Sequence, residues 1–372
     1  MVTRKKSSPR PIKSAPQASA FEDSAPISLL DPVPDGAQAD EPARGPRLAM
    51  AIHGGAGTKP QNELTRAQER VLRAGLNAAL DAGLVLLRDG ASALDAVCAA
   101  VVVLEDDPLF NAGCGAVFNE LGEVELEAAV MDGATRGAGS VTGVQRVRNP
   151  VLLARAVMER TSHVTLGFAA AEAFAQRCGL ALEREGYFHT ETRWKALQME
   201  MARRAARAPT LTDAWSSEFG GELSHLLSDE DRHGTVGAVA LDQSGNLAAA
   251  TSTGGRTGKM AGRIGDSPMF GAGTWADEAV AVSCTGHGEW FVRAAVAHEI
   301  SARMRLAGAT LEAACRQVVD ELLPRLGGAD ASGGAIAVDR QGRISMPFNC
   351  EGMYRASIDA DGKRMVAIYR PD

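Results

Sequence analysis

The sequence predicts an α+β fold in which two β-sheets stack on each other and helices cover both outer faces, a four-layer αββα sandwich. Two observations support this prediction. Apolar strands and tight hairpins occur towards both ends of the folded part of the chain, and helical patterns lie between them. This order of strands, helices and strands differs from the regular alternation that produces a doubly wound parallel sheet.

The first structured elements follow from simple sequence signals. Residues 48–52 form a short apolar run, typical of a buried strand, which ends in the glycine-rich turn 53–57. The capping box Thr65-x-x-Gln68 begins a helix with one apolar face, formed by Leu72, Leu76, Leu80 and Leu84. Further helices are predicted from Ser92 through Val103 and near residues 149–160, 167–178, 288–306 and 310–325.

Three hairpins are predicted where turn residues separate short apolar or alternating runs. Their turns are Asn119–Gly122, Asp242–Gly245 and Asp339–Gly342. Their strands are residue 118 with 123–131, 235–241 with 246–253, and 334–338 with 343–347. The second hairpin therefore begins at Thr235.

The bulk composition excludes several classes of protein. The net charge of the 372 residues is −7 and the pI is near 5.6, so nucleic acid is not an expected partner. No apolar run reaches about 18 residues, so no membrane-spanning helix is expected. The six cysteines include no C-x-x-C pair, which indicates reduced thiols and a cytoplasmic location.

Two segments differ in composition from the rest of the chain. Residues 1–46 hold eight of the sixteen prolines and a single aromatic residue, so they are predicted to form a disordered extension. Residues 47–372 are then interpreted as a single domain. Within this domain, residues from about 203 to 234 are polar and irregular and are predicted to form a mobile linker.

The segment His233-Gly234-Thr235 carries the candidate chemistry, because it joins this linker to a strand. Cleavage of the Gly234–Thr235 peptide bond would give Thr235 a free α-amine with a pKa of roughly 7.7–8.0, so one residue would supply both nucleophile and base. Glycine at position 234 tolerates the strained backbone of an N→O acyl shift. Taken alone, Gly-Thr also fits an ordinary strand that begins with a β-branched residue.

Six motifs resemble, in order and spacing, the plant-type asparaginase / isoaspartyl peptidase family of N-terminal-nucleophile hydrolases, over residues 48–370. The motifs are Ile52–Gly57, Asp107–Gly115, His233–Asp242 with Thr251–Gly255, Gly262–Pro268, Cys284–Glu289 and Pro347–Met353. The resemblance implies the αββα fold of these hydrolases and self-cleavage into an α chain ending at Gly234 and a β chain beginning at Thr235. It also implies hydrolysis of β-aspartyl dipeptides and L-asparagine, which releases L-aspartate.

The resemblance assigns catalytic roles to five positions. It implies that Thr235 is the nucleophile, that Thr253 poises its hydroxyl and that Asn111 supports the active conformation. Thr285 and the backbone N–H of Gly286 would form the oxyanion hole, since a hydroxyl and an amide aimed at one point suit a tetrahedral oxyanion.

A substrate pocket is implied by the motif that begins at Gly262. Arg263 matches the residue that binds the substrate α-carboxylate, because a guanidinium offers a bidentate fork. Asp266 matches the partner of the α-ammonium, and the backbones of Gly286 and Gly288 complete the pocket. Arg263 and Asp266 are three residues apart and could also form a surface ion pair. Lys259 is expected on the leaving-group side.

The loop that follows the second helix resembles the sodium loop of the family. Oxygen ligands suit such a hard cation. The implied ligands are the backbone carbonyls of Leu104, Glu105, Asp107, Phe110, Ala112 and Cys114. No cofactor is expected for catalysis, and His53, His233 and His287 are expected to support the backbone rather than bind a metal. The family also implies a dimer of cleaved αβ heterodimers.

Two alternatives remain open. A glycosylasparaginase- or taspase-like hydrolase typically has aspartate before the threonine, where this chain has Gly234. A non-catalytic binding protein on the same fold would lack at least one of five key residues, and all five are present: Thr235, Thr253, Thr285, Arg263 and Asp266. Glu127 and Cys350 stand where the family commonly has aspartate and threonine, and both departures are expected to affect only local packing.

Overall fold

The computed structural model describes residues 47–58, 60–207 and 234–370, whose strands form two sheets. The strands are β1 (Ala49–Ala56), β2 (Leu126–Asp132), β3 (Ala138–Val144), β4 (Thr165–Gly167), β5 (Val236–Leu241), β6 (Leu247–Thr253), β7 (Thr274–Ala276), β8 (Val280–Gly286), β9 (Gly333–Asp339), β10 (Ile344–Ser345), β11 (Met353–Ile358) and β12 (Arg364–Ala367). The eight-stranded sheet has the order β12-β11-β1-β5-β6-β2-β3-β4, and the four-stranded sheet has the order β10-β9-β8-β7.

The helices of the described residues confirm most of the predicted helical segments. They are α1 (Arg66–Arg88), α2 (Ala93–Glu105), α3 (Pro150–Arg160), α4 (Phe168–Arg177), α5 (Glu191–Arg207), α6 (Gly288–Ala294), α7 (Val296–Ala307), α8 (Leu311–Arg316) and α9 (Leu323–Gly327). The capping box of α1 forms as predicted, with Thr65 as N-cap and Gln68 returning the bond. Ser92 and Asp95 cap α2 in the same way.

The second and third predicted hairpins are confirmed. β5 and β6 pair from Val236 with Ser252 to Leu241 with Leu247, and they lie at the centre of the larger sheet, between β1 and β2. β9 pairs with β10 across the Asp339 turn, and on its other side it pairs with β8. The two hairpins therefore belong to different sheets.

Side chains of the central strands alternate between two cores. Met50 and Ile52 of β1 pack in one buried cluster with Leu76 of α1, whereas Ala49 and Ala51 belong to a cluster between the sheets. This alternation is what a strand with both faces covered requires, because successive side chains point to opposite faces.

The smaller sheet repeats this arrangement. Ile336 and Val338 of β9 lie in the cluster between the sheets, and Ala335 and Ala337 face a third cluster that contains residues of α7 and α8. Helix, sheet, sheet and helix layers therefore follow one another, and the predicted four-layer αββα sandwich is confirmed.

The first predicted hairpin, over residues 118–131, is wrong in its pairing. The turn exists, because the Asn119 side-chain oxygen accepts hydrogen bonds from the N–H groups of Leu121 (2.9 Å) and Glu123 (3.0 Å). However, β2 begins only at Leu126 and pairs with β3 and β6. A single residue before the turn offers no ladder, whereas β6 pairs with β2 from Thr253 to Ala248.

Two long predicted helices are interrupted. Ala295 has a φ of 47°, in the left-handed region, so it ends α6 and α7 begins at the next residue. A π-helical segment, Gln317–Leu322, separates α8 from α9. The predicted linker also begins later than expected, since α5 continues to Arg207.

The disordered extension predicted for residues 1–46 and the linker residues 208–233 lie outside the described residues and remain predictions. The described residues all fall within one compact unit. None of their helices is long and apolar enough to cross a bilayer.

Candidate active site

The central hairpin brings two threonine hydroxyls together. Thr235 immediately precedes β5 and Thr253 is the last residue of β6, and antiparallel pairing makes the start of one strand a neighbour of the end of the other. The Thr235 hydroxyl donates a hydrogen bond to the Thr253 hydroxyl at 3.1 Å. Both side chains are buried. The structure thus confirms the contact that was expected between them.

Asn111 supports the loop that follows Thr253. The Thr253 hydroxyl accepts a hydrogen bond from the N–H of Gly255 at 2.9 Å. The Asn111 amide donates to the Gly255 carbonyl at 2.8 Å, and its oxygen accepts from the N–H of Val117 at 2.9 Å. Asn111 therefore acts on Thr253 through the backbone of this loop.

Thr285 and Gly286 end β8 on the facing sheet. The Thr285 hydroxyl accepts a hydrogen bond from the N–H of Ala56 at 3.1 Å, which leaves its own proton available for an incoming oxygen. Gly286 has a φ of 153°, and a Cβ there would lie 2.7 Å from the Cα of Gly333. Only glycine fits at this position, because the two strands approach each other so closely.

A chain of buried side chains runs between the sheets from Thr235. His53 Nδ1 lies 2.9 Å from the Thr235 carbonyl, and Nε2 lies 2.9 Å from the Ser283 hydroxyl. A carbonyl only accepts, so Nδ1 carries the proton and Nε2 accepts from Ser283. The Ser283 hydroxyl in turn contacts that of Thr251 at 2.7 Å, and Thr274 donates to Thr251 at 2.7 Å.

His53 is neutral in this chain. Burial lowers its pKa to about 3, although the hydrogen bond to the Thr235 carbonyl acts in the opposite direction. His53 was predicted to support the backbone, and the hydrogen bond to Thr235 confirms it. His287 likewise contacts a backbone carbonyl, that of Asp330, at 2.9 Å, whereas His233 lies outside the described residues.

Gly234 lies in a narrow gap beside Thr235. A Cβ on Gly234 would lie 2.8 Å from the Cβ of Asn111. On the other side, a Cβ on Gly55, whose φ is +116°, would lie 2.7 Å from the Cα of Gly234. A side chain at position 55 or at position 234 would collide with its neighbours, so the gap requires glycine at both positions.

Arg263 is half-buried and forms an ion pair with Glu289, a contact that was not predicted. Its Nε and Nη2 donate to the two oxygens of Glu289, each at 3.0 Å. This pairing uses the side edge of the guanidinium and leaves its Nη1 group free for a second carboxylate. The same pair raises the pKa of Arg263 against the effect of burial, and the contacts from His287 and Arg263 together lower the pKa of Glu289.

Asp266 is a buried carboxyl group without a full set of partners. It is 3% exposed, and its Oδ2 has no hydrogen-bond partner among the described residues. Burial raises its pKa to about 7, although Arg263 lowers it. The alternative of a surface ion pair between Arg263 and Asp266 is therefore wrong. A Cβ on Gly288 would lie 2.7 Å from Asp266 Oδ1 and 2.9 Å from Arg263 Nη2, so Gly288 keeps the space between the two charges open.

Two glutamates hold the loop that carries Arg263, and neither role was predicted. Glu127 accepts from the N–H of Gly265 at 3.1 Å, and Glu125 accepts from the N–H of Gly262 at 2.7 Å. Lys259 donates to the Glu125 carbonyl at 2.8 Å. Burial raises the pKa of Glu127 and lowers that of Lys259. The expectation that Glu127 affects only packing is therefore wrong.

Lys259 is buried. Its side chain is 1% exposed and its Nζ lies 3.8 Å from Glu125 Oε2, and its position on the leaving-group side stays a prediction. The sequence held one signal for this cluster. Two glutamates two residues apart, at 125 and 127, point to the same face of an extended segment that is otherwise apolar.

In the loop after α2, the carbonyl oxygens of Glu105 and Phe110 lie close to Gly113 and Gly115. A Cβ on Gly113 would lie 2.3 Å from the Glu105 carbonyl oxygen, and one on Gly115 would lie 2.1 Å from that of Phe110. The carbonyls of Asp107, Phe110 and Ala112 already accept hydrogen bonds within the loop. Among the described residues, no group of His, Cys, Asp or Glu side chains could hold a metal ion.

A buried threonine at the head of a central strand of an αββα sandwich, hydrogen-bonded to a second threonine, defines a hydrolase of the N-terminal-nucleophile class. Residues 46–368 match the model of the asparaginase family, and the chain belongs to this family.

Several curated relatives are similar over nearly their whole length. The isoaspartyl peptidases of Salmonella typhimurium and Escherichia coli are each 47% identical to this chain over 325 residues, which is 87% of this chain and 99% and 97% of those proteins. The human isoaspartyl peptidase/L-asparaginase is 39% identical over 322 residues, 84% of this chain and 96% of that protein.

The His53 chain predicts a measurable contribution to stability. His53→Leu leaves the Thr235 carbonyl and the Ser283 hydroxyl buried without their partner, so we expect a loss of about 2–5 kcal/mol in the free energy of unfolding. Urea denaturation measures this loss. His163→Leu, at an exposed position, is the matched control and should change stability little.

The pH dependence of stability distinguishes this role from simple packing. The pKa of His53 is about 3 in the folded chain against an ordinary value of 6.5, so between these values the unfolded chain binds the extra proton. Stability should therefore fall as the pH is lowered from about 6.5 towards 3, and His53→Leu should flatten this part of the curve. An unchanged curve would contradict the assignment of a buried neutral imidazole.

Proposed function

We propose that this chain is a threonine amidohydrolase that cleaves itself between Gly234 and Thr235. It then hydrolyses the side-chain amide bond of β-aspartyl dipeptides and of L-asparagine and releases L-aspartate. The observation that carries the substrate assignment is the open space between Arg263 and Asp266, which Gly288 maintains. The names of the relatives, isoaspartyl peptidase and L-asparaginase, support the same substrates.

Self-cleavage begins with the Thr235 hydroxyl, which the Thr253 hydroxyl orients. Oγ1 attacks the carbonyl carbon of Gly234, its proton passes to the Thr235 nitrogen, the C–N bond breaks, and the acyl group moves from nitrogen to oxygen. Water then hydrolyses the ester, which leaves a carboxylate on Gly234 and a free α-amine on Thr235. The hydrogen bond from His53 to the Thr235 carbonyl holds the nucleophile's backbone during this change.

Substrate hydrolysis uses the new α-amine as the base. The amine takes the Oγ1 proton, and Oγ1 attacks the side-chain carbonyl of the substrate. The Thr285 hydroxyl and the Gly286 N–H donate to the oxyanion, and each such donor is worth about 2.7–4 kcal/mol in related sites. The proton passes to the leaving amine, and water hydrolyses the acyl-enzyme to regenerate Thr235.

Recognition uses both charges of the amino acid. The free edge of Arg263 would bind the α-carboxylate while Glu289 holds the other edge, and Asp266 Oδ2 would accept from the α-ammonium. An aspartyl group bound in this way presents its β-carbonyl towards Thr235. The leaving group is not selected by these contacts, so ammonia and an amino acid are both accepted.

The proposal includes a structural cation and an assembly. A sodium ion held by the carbonyls of the loop after α2, including those of Glu105 and Phe110 that face Gly113 and Gly115, would fix the loop that bears Asn111. We also propose a dimer of cleaved αβ heterodimers and a cytoplasmic location.

Glycine rather than aspartate before Thr235 disfavours the glycosylasparaginase- and taspase-like alternatives. All five key residues are present, which speaks against a non-catalytic binding protein.

Intact mass spectrometry tests the cleavage step. The purified protein should separate into chains that meet at Gly234 and Thr235, and Thr235→Ala should stay whole because it lacks the attacking hydroxyl. Gly234→Ala should cleave at least about tenfold more slowly, since its Cβ would meet Asn111 at 2.8 Å. Gly186→Ala, where a Cβ meets nothing within 4 Å, is the matched control. Cleavage of Thr235→Ala at this bond would refute the mechanism.

Kinetic comparison of substrates tests recognition. β-Aspartyl dipeptides and L-asparagine should both be hydrolysed, with the dipeptides preferred, whereas α-aspartyl dipeptides should be refused because their α-carboxylate is part of the peptide bond. Arg263→Lys should lower kcat/KM by at least about tenfold, because an ammonium cannot serve Glu289 and a substrate carboxylate with two edges. An Arg263→Lys enzyme as active as the parent would show that the pocket is assigned wrongly.

The pH dependence of catalysis tests Asp266. Its pKa is about 7 in the free protein, and only the ionised form binds an ammonium, so kcat/KM should fall as the pH is lowered through 7. The α-amine of Thr235 must also be neutral. Below pH 7, log kcat/KM should therefore fall with the slope of two protonations, whereas log kcat should fall with the slope of only one. Asp266→Asn should have low activity with a single-proton dependence in both. An unchanged two-proton dependence in Asp266→Asn would exclude this role.

A further inference from the structure

Arg355 is a buried cation that, among the residues the structure describes, donates hydrogen bonds only to neutral groups. It lies on β11, is 5% exposed, and donates to the backbone carbonyls of Met353 (3.0 Å), Ile368 (3.1 Å) and Tyr369 (3.0 Å). No carboxylate of the described residues forms an ion pair with it. Three of its five N–H groups are thus used, and the Nε–H and one Nη2–H remain.

A second arginine brings more positive charge to the same place. The guanidinium groups of Arg355 and Arg370 lie 4.8 Å and 5.0 Å from the centre of the Phe348 ring. Arg370 donates one hydrogen bond to the Phe348 carbonyl. Among the described residues, it forms no ion pair either. Burial, Arg73 and Arg370 together lower the pKa of Arg355 to about 10, as expected for a cation without a nearby counter-charge.

Both arginines line an open cleft of about 520 Å³. One wall is Asn349, whose side chain is already satisfied: its oxygen accepts from Gly333, and its amide donates to the carbonyls of Val319 and Ala331. Asp320 is the single acidic residue of the lining, and burial raises its pKa although the charges of Arg370 and Arg316 act in the opposite direction. The cleft therefore has an excess of positive charge and spare donors.

We propose that this cleft is a binding site for a small oxyanion, a phosphate or a carboxylate group, held between Arg355 and Arg370. A guanidinium fork matches the oxygen spacing of both groups, and an anion would supply the counter-charge that no described residue gives to the buried Arg355. None of the residues that line the cleft belongs to the set proposed for catalysis, so the site is independent of the proposed function.

Isothermal titration of the full chain with inorganic phosphate, and separately with acetate, tests the proposal. The titrations use an Arg263→Met background, because Arg263 could bind either anion in the catalytic pocket. One of the two anions should still bind, and the tighter one identifies the natural chemistry as phosphate or carboxylate. Absence of binding by both anions would overturn the proposal.

Variants then place the anion in the cleft. Arg370 is exposed, so Arg370→Gln should fold normally and weaken binding by at least about tenfold, the effect of one charge-assisted contact. Asp320→Asn should tighten binding, because it removes the opposing charge. Arg316→Gln, a neighbouring exposed arginine that does not line the cleft, is the matched control and should change the affinity little. Equal affinity in Arg370→Gln and Arg316→Gln would place the anion elsewhere and overturn the proposal.

Discussion

The hydrogen bond from His53 to the Thr235 carbonyl belongs to a group of contacts that links strands of both sheets, and the site depends on the relative positions of these strands. His53 lies on β1, Thr235 begins β5, and Ser283, which holds the other ring nitrogen, lies on the facing sheet. A neutral ring between two sheets can make both bonds only if strand register and sheet spacing are correct to within a hydrogen-bond distance. The chain through Thr251 and Thr274 extends the same requirement to β6 and β7.

The charges of the site are arranged in two different ways. Arg263 keeps a permanent partner, Glu289, so the free protein does not hold a bare guanidinium there. Among the described residues Asp266 Oδ2 has no such partner, and burial of the carboxyl group raises its pKa. Beneath both, Glu125 and Glu127 fix the loop through backbone N–H groups, and Lys259 offsets their charge. The loop that carries Arg263 is therefore held in place by buried residues.

The sequence predicted the layered architecture and most of the helices, because both depend on local signals, whereas the site residues were assigned from the family resemblance. Capping boxes, turn residues and the Thr235 hairpin are short-range features, and the structure confirms them. It could not predict that β2 would leave the Asn119 turn and pair with β6, since that choice depends on competition between distant strands. The break at Ala295 could not be predicted either, because alanine normally favours a continuous helix.

The sequence did not predict most contacts between residues that are far apart along the chain. Glu289 is part of a recognised motif, yet nothing in its neighbourhood indicates that it holds Arg263, 26 positions away. Glu127 was expected to affect only packing because it differs conservatively in size from the aspartate that is common in the family, and the loop it binds lies 138 positions further on. The family resemblance predicted roles for single residues, and only the coordinates show which of these residues contact one another.

The narrow gap around Gly234 has a consequence for when the protein becomes active. Before cleavage the chain's own backbone fills the space between Gly55 and Asn111, beside the hydroxyl that the proposed reaction requires. Under that proposal, the first amide bond the protein breaks is its own, and the reaction occurs only once both sheets have assembled. A newly made or misfolded chain would then have no means of consuming asparagine. Folding itself would serve as the activation signal, with no separate protease or regulator needed to release the enzyme.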